Sequence, residues 1–158
     1  MNRRILIVGF GNPLAGDDGA GPAVVARLRG ADLPPWARVE DGGSDSLVLP
    51  SLHAGEQEIW LVDAIAGGSA PGSIVRLAHD EVLAIPQPHA SAHELSLPES
   101  LRLLNVTEPR LAAVRYRLWG IEPESVAPLA PMCEAVRQAV EAVTREILRA
   151  IEGPSCLH

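Results

Sequence analysis

Two short apolar runs constrain the fold of this chain more than any other feature of its sequence. Residues 4–8 read RILIV, and residues 58–65 read EIWLVDAI. A strand with one face in solvent alternates apolar and polar residues, so an unbroken run predicts a strand that is buried on both faces. Strands of this kind are typical of parallel sheets that carry helices on both sides. Further strands are predicted over residues 36–40, 72–77 and 111–121.

Helical patterns alternate with these strands. Residues 23–29 and 93–104 favour helices, and a longer helix is predicted near the end of the chain. Its apolar residues recur at spacings of three and four, and they form one stripe: Met132, Val136, Val140, Val143, Ile147 and Ile151. The alternation predicts an α/β fold, a three-layer α/β/α sandwich with a mostly parallel sheet.

Size and composition narrow the classes of protein. The 158 residues predict one domain over residues 1–152 with a short flexible tail at 153–158. Thirteen basic residues against twenty acidic ones give a net charge of −7, which argues against a nucleic-acid partner. No apolar run approaches the length that spans a membrane, so membrane insertion is not expected. Two cysteines without a paired spacing favour a reducing, cytoplasmic setting.

Acidic residues follow three of the predicted strands. Asp17 and Asp18 come after the first strand, Asp41 after the second and Asp63 after the third. The carboxyl ends of neighbouring parallel strands share one edge of a sheet, so these carboxylates are expected near one another. Such a cluster repels itself unless it shares a proton or binds a cation. For Asp17, a local role in the turn or as a helix N-cap is the favoured interpretation.

An imidazole near these carboxylates would complete a set of ligands for a divalent metal. The segment QPHASAHELSL offers His89 and His93. Spacing alone does not distinguish between the two histidines.

The glycine-rich segment GFGNPLAGDDGAG, residues 9–21, has several interpretations. A dinucleotide fingerprint requires a third glycine where Leu14 stands, and no G-K-[ST] sequence is present for a P-loop. Peptidyl-tRNA hydrolases also begin with a strand followed by a similar loop. The acidic charge of this chain fits a tRNA substrate badly, so that alternative is less favoured.

The same segment resembles the N-terminal signature of the hydrogenase maturation proteases, roughly G-x-G-N-x-L-x-x-D-[DE]-x-x-G. The matching residues are Gly9, Gly11, Asn12, Leu14, Asp17, Asp18 and Gly21. The similarity continues in order through EDGGSDSL, LVDAI, APGSI, SAHELSL and GIEPES, and it covers about residues 4–150.

This resemblance implies a twisted, mostly parallel five-stranded sheet and an endopeptidase of the aspartic type. The enzyme would remove the C-terminal extension of a nickel-loaded nickel–iron hydrogenase large-subunit precursor. Asp18, Asp63 and His93 would be the catalytic, metal-binding triad, and Asp41, Gly42 and Gly43 would contact the substrate. The nickel would belong to the precursor and serve as a recognition handle, with no tightly bound organic cofactor and with the enzyme a monomer.

Two questions stay open at the level of sequence. Cleavage could use a water activated by the metal, or a carboxylate pair acting as general acid and base. A chaperone that binds the nickel-loaded precursor without cutting it is the alternative function.

Overall fold

The computed structural model describes residues 3–85 and 96–153. Five strands form one sheet in the order β2-β1-β3-β5-β4. Only β4 runs antiparallel, against β5; the other neighbouring strands are parallel. The strands are β1 (Ile5–Phe10), β2 (Ala37–Gly43), β3 (Glu58–Ala64), β4 (Ile74–Leu77) and β5 (Arg115–Ile121). The predicted mostly parallel five-stranded sheet is therefore confirmed.

The two apolar runs lie at the centre of this sheet, where both faces are covered. All six residues of β1 are buried, as are the first five residues of β3. Alternate residues of β1 enter two separate clusters: Ile5 and Ile7 pack on one face, and Leu6 and Val8 on the other. The continuous apolar pattern is thus the result of two cores that share one strand.

Helices of at least four residues cover both faces. They are α1 (Ala20–Arg29), α2 (Leu49–Leu52), α3 (His79–Leu83), α4 (Leu97–Thr107) and α5 (Glu134–Glu152). Helices α1 and α5 supply side chains to the cluster around Ile5, while α2, α3 and α4 supply the cluster around Leu6. This arrangement is the predicted three-layer sandwich. None of the helices in residues 3–85 and 96–153 has the length and apolarity that a membrane crossing requires.

Several helix boundaries differ from the predictions, and α1 begins at Ala20, three residues before its predicted start. Helix α5 begins at Glu134, so Met132 precedes the helix although it packs against the same cluster. Helix α4 begins at Leu97, and Ser96 caps it by accepting a hydrogen bond from the Glu99 N–H. Pro98 therefore lies in the first turn, where a missing N–H costs nothing. Residues 93–95 of the predicted helix and residues 154–158 of the predicted tail lie outside the described residues.

Helix α1 lies very close to the sheet because glycines stand at the contact. A Cβ at Gly21 would lie 2.8 Å from the backbone atoms Phe10 N and Val62 O, and still closer to Phe10 O. A Cβ at Gly9 would lie 2.5 Å from Gly21 O. These contacts involve backbone, which cannot move aside as a flexible side chain can. The two glycines set the position of α1 and of the loop that precedes it.

Candidate active site

The carboxyl ends of β1 and β3 border an open pocket of about 410 Å³. Strand β1 lies between β2 and β3, so the chain crosses from one side of β1 to the other between the second and third strands. Ligand sites of open α/β sheets form at such a change of direction. The lining residues are Phe10, Gly11, Asn12, Ala15, Asp18, Ser44, Ser46, Asp63, Ala64, Ser96, Leu97 and Val126.

Asp18 and Asp63 both line this pocket. Asp18 lies in the 3-10 turn Gly16–Gly19 after β1, and Asp63 lies near the end of β3. Burial, together with the negative charge of Asp18, raises the pKa of Asp63 to about 7, although the Ala64 N–H acts in the opposite direction. The structure therefore brings together the two carboxylates of the predicted triad, close enough to interact electrostatically.

The loop holds Asp18 in place through its own backbone. The Asn12 N–H donates to Asp18 Oδ2 over 2.7 Å, and Asn12 Oδ1 accepts from the Leu14 N–H. Gly11 has a φ of 138°, and a Cβ there would collide with the carbonyl oxygen of Asp18. Glycine at this position lets the end of β1 pass directly beside the acidic residue. One carboxylate oxygen of Asp18 is thus fixed by the loop.

Asp17 has a different role from the predicted turn or cap. Its side chain makes no capping bond in the 3-10 turn, and the residue is only 1% exposed. Its Oδ2 accepts from the N–H groups of Glu124 and Ser125, and its Oδ1 accepts from the Cys133 N–H. Burial alone would raise the pKa of Asp17, but these backbone N–H groups outweigh burial and hold the pKa below its usual range. Asp17 joins the glycine-rich loop to a segment more than 100 residues away.

The remaining predicted site residues divide into two groups. His93, like His89, lies outside the described residues, so its place in the triad stays a prediction. Asp41 is exposed and accepts from the Gly43 N–H over 2.8 Å, and Gly43 O accepts from the Gly11 N–H. The end of β2 is therefore fastened to the glycine-rich loop. Asp41, Gly42 and Gly43 do not line the pocket, and their contact with substrate stays a prediction.

Sequence reasoning missed the polar and apolar residues that complete the pocket wall. Ser44, Ser46 and Ser96 line it, and Ser46 Oγ lies 2.6 Å from Ser100 Oγ in a buried hydrogen bond. Val126 reaches the pocket from the segment that Asp17 binds. The one available signal was the position of Ser44 directly after the predicted second strand and its two glycines, at the same edge of the sheet.

The chain is similar to known proteins over almost its whole length. A family model described as hydrogenase maturation protease matches residues 22–150. The hydrogenase 2 maturation protease of Escherichia coli K12 is 30% identical over 152 residues, which cover 94% of this chain and 90% of that protein. Among solved structures, the E. coli hydrogenase maturating endopeptidase HybD has a TM-score of 0.78 at 29% identity, with 94% and 92% of the two chains covered.

A more distant structure supports the fold alone. The nickel–iron hydrogenase maturation protease HycI of Thermococcus kodakarensis has a TM-score of 0.79 at 22% identity, with 95% of this chain and 93% of that chain covered.

Proposed function

Because the chain belongs to the hydrogenase maturation protease family, we propose that it removes the C-terminal extension of a nickel–iron hydrogenase large-subunit precursor. Its relatives are endopeptidases by name, and this chain is an endopeptidase of the same family. The proposal adds a recognition step: the nickel already bound in the precursor is the handle that brings the precursor into the pocket.

The observation that carries this proposal is the pairing of Asp18 and Asp63 in one pocket. Two neighbouring carboxylates repel each other when both are ionised, and a cation relieves this repulsion. Within the described part of the chain, no basic side chain lines the pocket to neutralise them. Carboxylate oxygens together with an imidazole, which we assign to His93, suit a borderline divalent ion such as nickel.

The two carboxylates support one of the two cleavage routes. An acid or base works best when its pKa lies near the operating pH, and without a bound cation the pKa of Asp63 is raised to about 7. A cation held by both carboxylates lowers that pKa, so in this route the carboxylate that accepts a proton from the attacking water and later donates one to the leaving amine is one that the nickel does not neutralise. Asp18, fixed by the Asn12 N–H, stays in position beside Asp63. In this route the nickel orients the precursor and the protein side chains transfer the protons.

The working form of the enzyme is part of the same proposal. We infer a monomer that acts in the cytoplasm. The free thiol of Cys133 is consistent with a reducing compartment.

The test is to incubate the protein with a large-subunit precursor, prepared with and without nickel, and to weigh the products by mass spectrometry. We expect a C-terminal peptide to be released from the nickel-loaded precursor alone. Asp63→Asn should abolish release. Asp32→Asn removes an exposed charge outside the pocket and should leave release unchanged.

Two results would contradict the proposal in different ways. Equal cleavage of the precursors with and without nickel would show that nickel is not needed for recognition, although the protein would still be a protease. A stable complex with uncut precursor would support the chaperone instead.

A further inference from the structure

Exposed aliphatic side chains stand beside the pocket on the segment that Asp17 binds and on the glycine-rich loop. Leu14 is 66% exposed, Val126 is 50% exposed and Leu129 is 82% exposed. Single exposed aliphatic residues are ordinary on protein surfaces. These three differ because backbone hydrogen bonds join the two segments that carry them, and Val126 also lines the pocket. We call Leu14, Val126 and Leu129 the apolar ridge.

Several hydrogen bonds fasten the two segments of the ridge together. The Leu129 N–H donates to Leu14 O over 2.6 Å, and the Asp17 N–H donates to Ser125 O over 2.9 Å. The Asp17 carboxylate accepts from the Ser125 N–H as well. Val126 and Ala15 then continue the surface into the pocket wall. The ridge is therefore a built extension of the pocket that carries Asp18.

Leu129 occupies a backbone conformation that normally belongs to glycine. Its φ is 61°, which makes it the one non-glycine residue with positive φ in residues 3–85 and 96–153. Such a conformation is unfavourable for a side chain with a Cβ, and the leucine gains little burial in return. Strained residues of this kind concentrate at binding and catalytic sites. The unfavourable conformation of Leu129 therefore points to a contact between its side chain and a ligand in the pocket.

We propose that the apolar ridge binds aliphatic or aromatic side chains of the polypeptide substrate that flank the cleaved bond. This inference rests on the proposed function, since it requires a polypeptide in the pocket. Continuity supports it: a chain that brings its peptide bond to Asp18 and Asp63 must leave the pocket over one of its rims, and Val126 belongs to both pocket and ridge. Burying apolar side chains there adds affinity to that of the nickel contact at the two acidic residues.

The alternative occupant is a second copy of this chain. A stable protein–protein interface takes about 20 to 30 residues a side and about 800 Å² per partner. Three aliphatic side chains fall far short of that size. They are sufficient to seat one or two side chains of an extended peptide, so the substrate is the better occupant.

The test measures kcat and KM for release of the C-terminal peptide from the nickel-loaded precursor. Leu129→Asn suits a positive φ and removes the apolar surface, and Leu14→Ser removes the neighbouring side chain. We expect the double variant to raise KM about tenfold with kcat changed less than about twofold, because uniform binding is lost. A single Leu129→Met variant keeps an apolar side chain at this position, so its KM should stay close to that of the wild type. The matched control is Val106→Gln on α4, a residue that is 84% exposed and outside the pocket.

A second arm identifies the part of the substrate that the ridge contacts. The apolar residues flanking the cleaved bond are replaced by serine, and this precursor is assayed with the wild type and with the double variant. If ridge and precursor residues touch, the two effects on KM are not additive. Additive effects would overturn the inference, as would a wild-type dimer in sedimentation that Leu129→Asn dissociates.

The two proposals fail separately. If the wild type cleaves the precursor and the double variant has the same KM, the proposal for the apolar ridge is wrong, but the proposed protease function stands. A wild type that does not cleave the nickel-loaded precursor would overturn the proposed function, and the inference with it.

Discussion

Asp17 and Asp18 follow one another in the chain, yet their carboxylates lie in different surroundings. The 3-10 turn sends Asp18 to the pocket wall and Asp17 into the interior, where backbone N–H groups surround it. A carboxylate that accepts several N–H bonds is stabilised in its charged form, whereas a carboxylate beside another carboxylate is not. One of these neighbouring acidic residues therefore supports the structure, and the other is available to a ligand.

Asp17→Asn tests the structural role. Asparagine keeps the shape, but its NH₂ group must face a backbone N–H that Asp17 now accepts from. We expect a loss of about 1 to 3 kcal/mol in the free energy of unfolding at pH 7, measured by urea denaturation. Because the pKa of Asp17 is lowered in the folded protein, its stabilising contribution is present above pH 3.8 and is lost as pH falls below that value. The gap between wild type and variant should narrow in acid. A variant as stable as the wild type at pH 7 would contradict this account.

Asp63→Asn should have the opposite effect on stability. The folded protein raises the pKa of Asp63 from 3.8 to about 7, so the folded state binds a proton more tightly than the unfolded state does. The wild type therefore loses stability as pH rises between these values, and the asparagine variant lacks this loss. We expect the variant to gain about 1 to 3 kcal/mol relative to wild type between pH 4 and pH 8 in urea titrations. Asp32→Asn is the control, and a gain that is independent of pH would count against a raised pKa.

Helices and strands decide where these side chains can lie. Helix α1 contacts the ends of β1 and β3 without any intervening side chain at Gly21. The 3-10 turn with Asp18 leads directly into this helix, so the same contact positions the acidic residue. The close packing of α1 against the sheet, rather than any single hydrogen bond, sets the distance between Asp18 and β3.

Gly21→Ala and Gly30→Ala compare both ends of α1. A methyl group at Gly21 meets the backbone of Phe10 and Val62, and neither strand can retreat without disrupting the sheet. We expect a loss of about 3 kcal/mol or more in thermal unfolding experiments. At Gly30 the nearest atom would lie 3.5 Å away and φ is −82°, so alanine should be neutral or stabilising by up to about 1 kcal/mol. Equal effects of both substitutions would show that α1 does not depend on this contact.

At the scale of the whole molecule, the sequence predicted the layers well because burial leaves a local pattern. Strands β1 and β3 were evident from their apolar runs, and α5 from its stripe, since each pattern extends over several neighbouring residues. The rule for parallel strand ends predicted that four acidic residues lie near one another, and the family resemblance singled out Asp18 and Asp63 among them. The start of α4 was less evident, because Pro98 fits a first turn as easily as it breaks a helix.

The role of Asp17 could not have been predicted in the same way. Its partners are backbone N–H groups 107, 108 and 116 residues further along the chain, and a backbone group carries no residue-specific signal. The apolar ridge escaped prediction for the same reason, since Leu14 and Leu129 meet through backbone atoms. The pattern of neighbouring residues predicts helices and strands, whereas contacts between loops that are distant in sequence depend on the complete fold.

The long reach of Asp17 also has a consequence for the order of events when the protein is synthesised. A ribosome completes Asp18 and Asp63 early, but the N–H of Cys133 that Asp17 requires is translated 116 residues after Asp17. Until that part of the chain has been translated, the Asp17 carboxylate lacks all three of its backbone donors, so the link between the glycine-rich loop and residues 124–133 can form only late in synthesis.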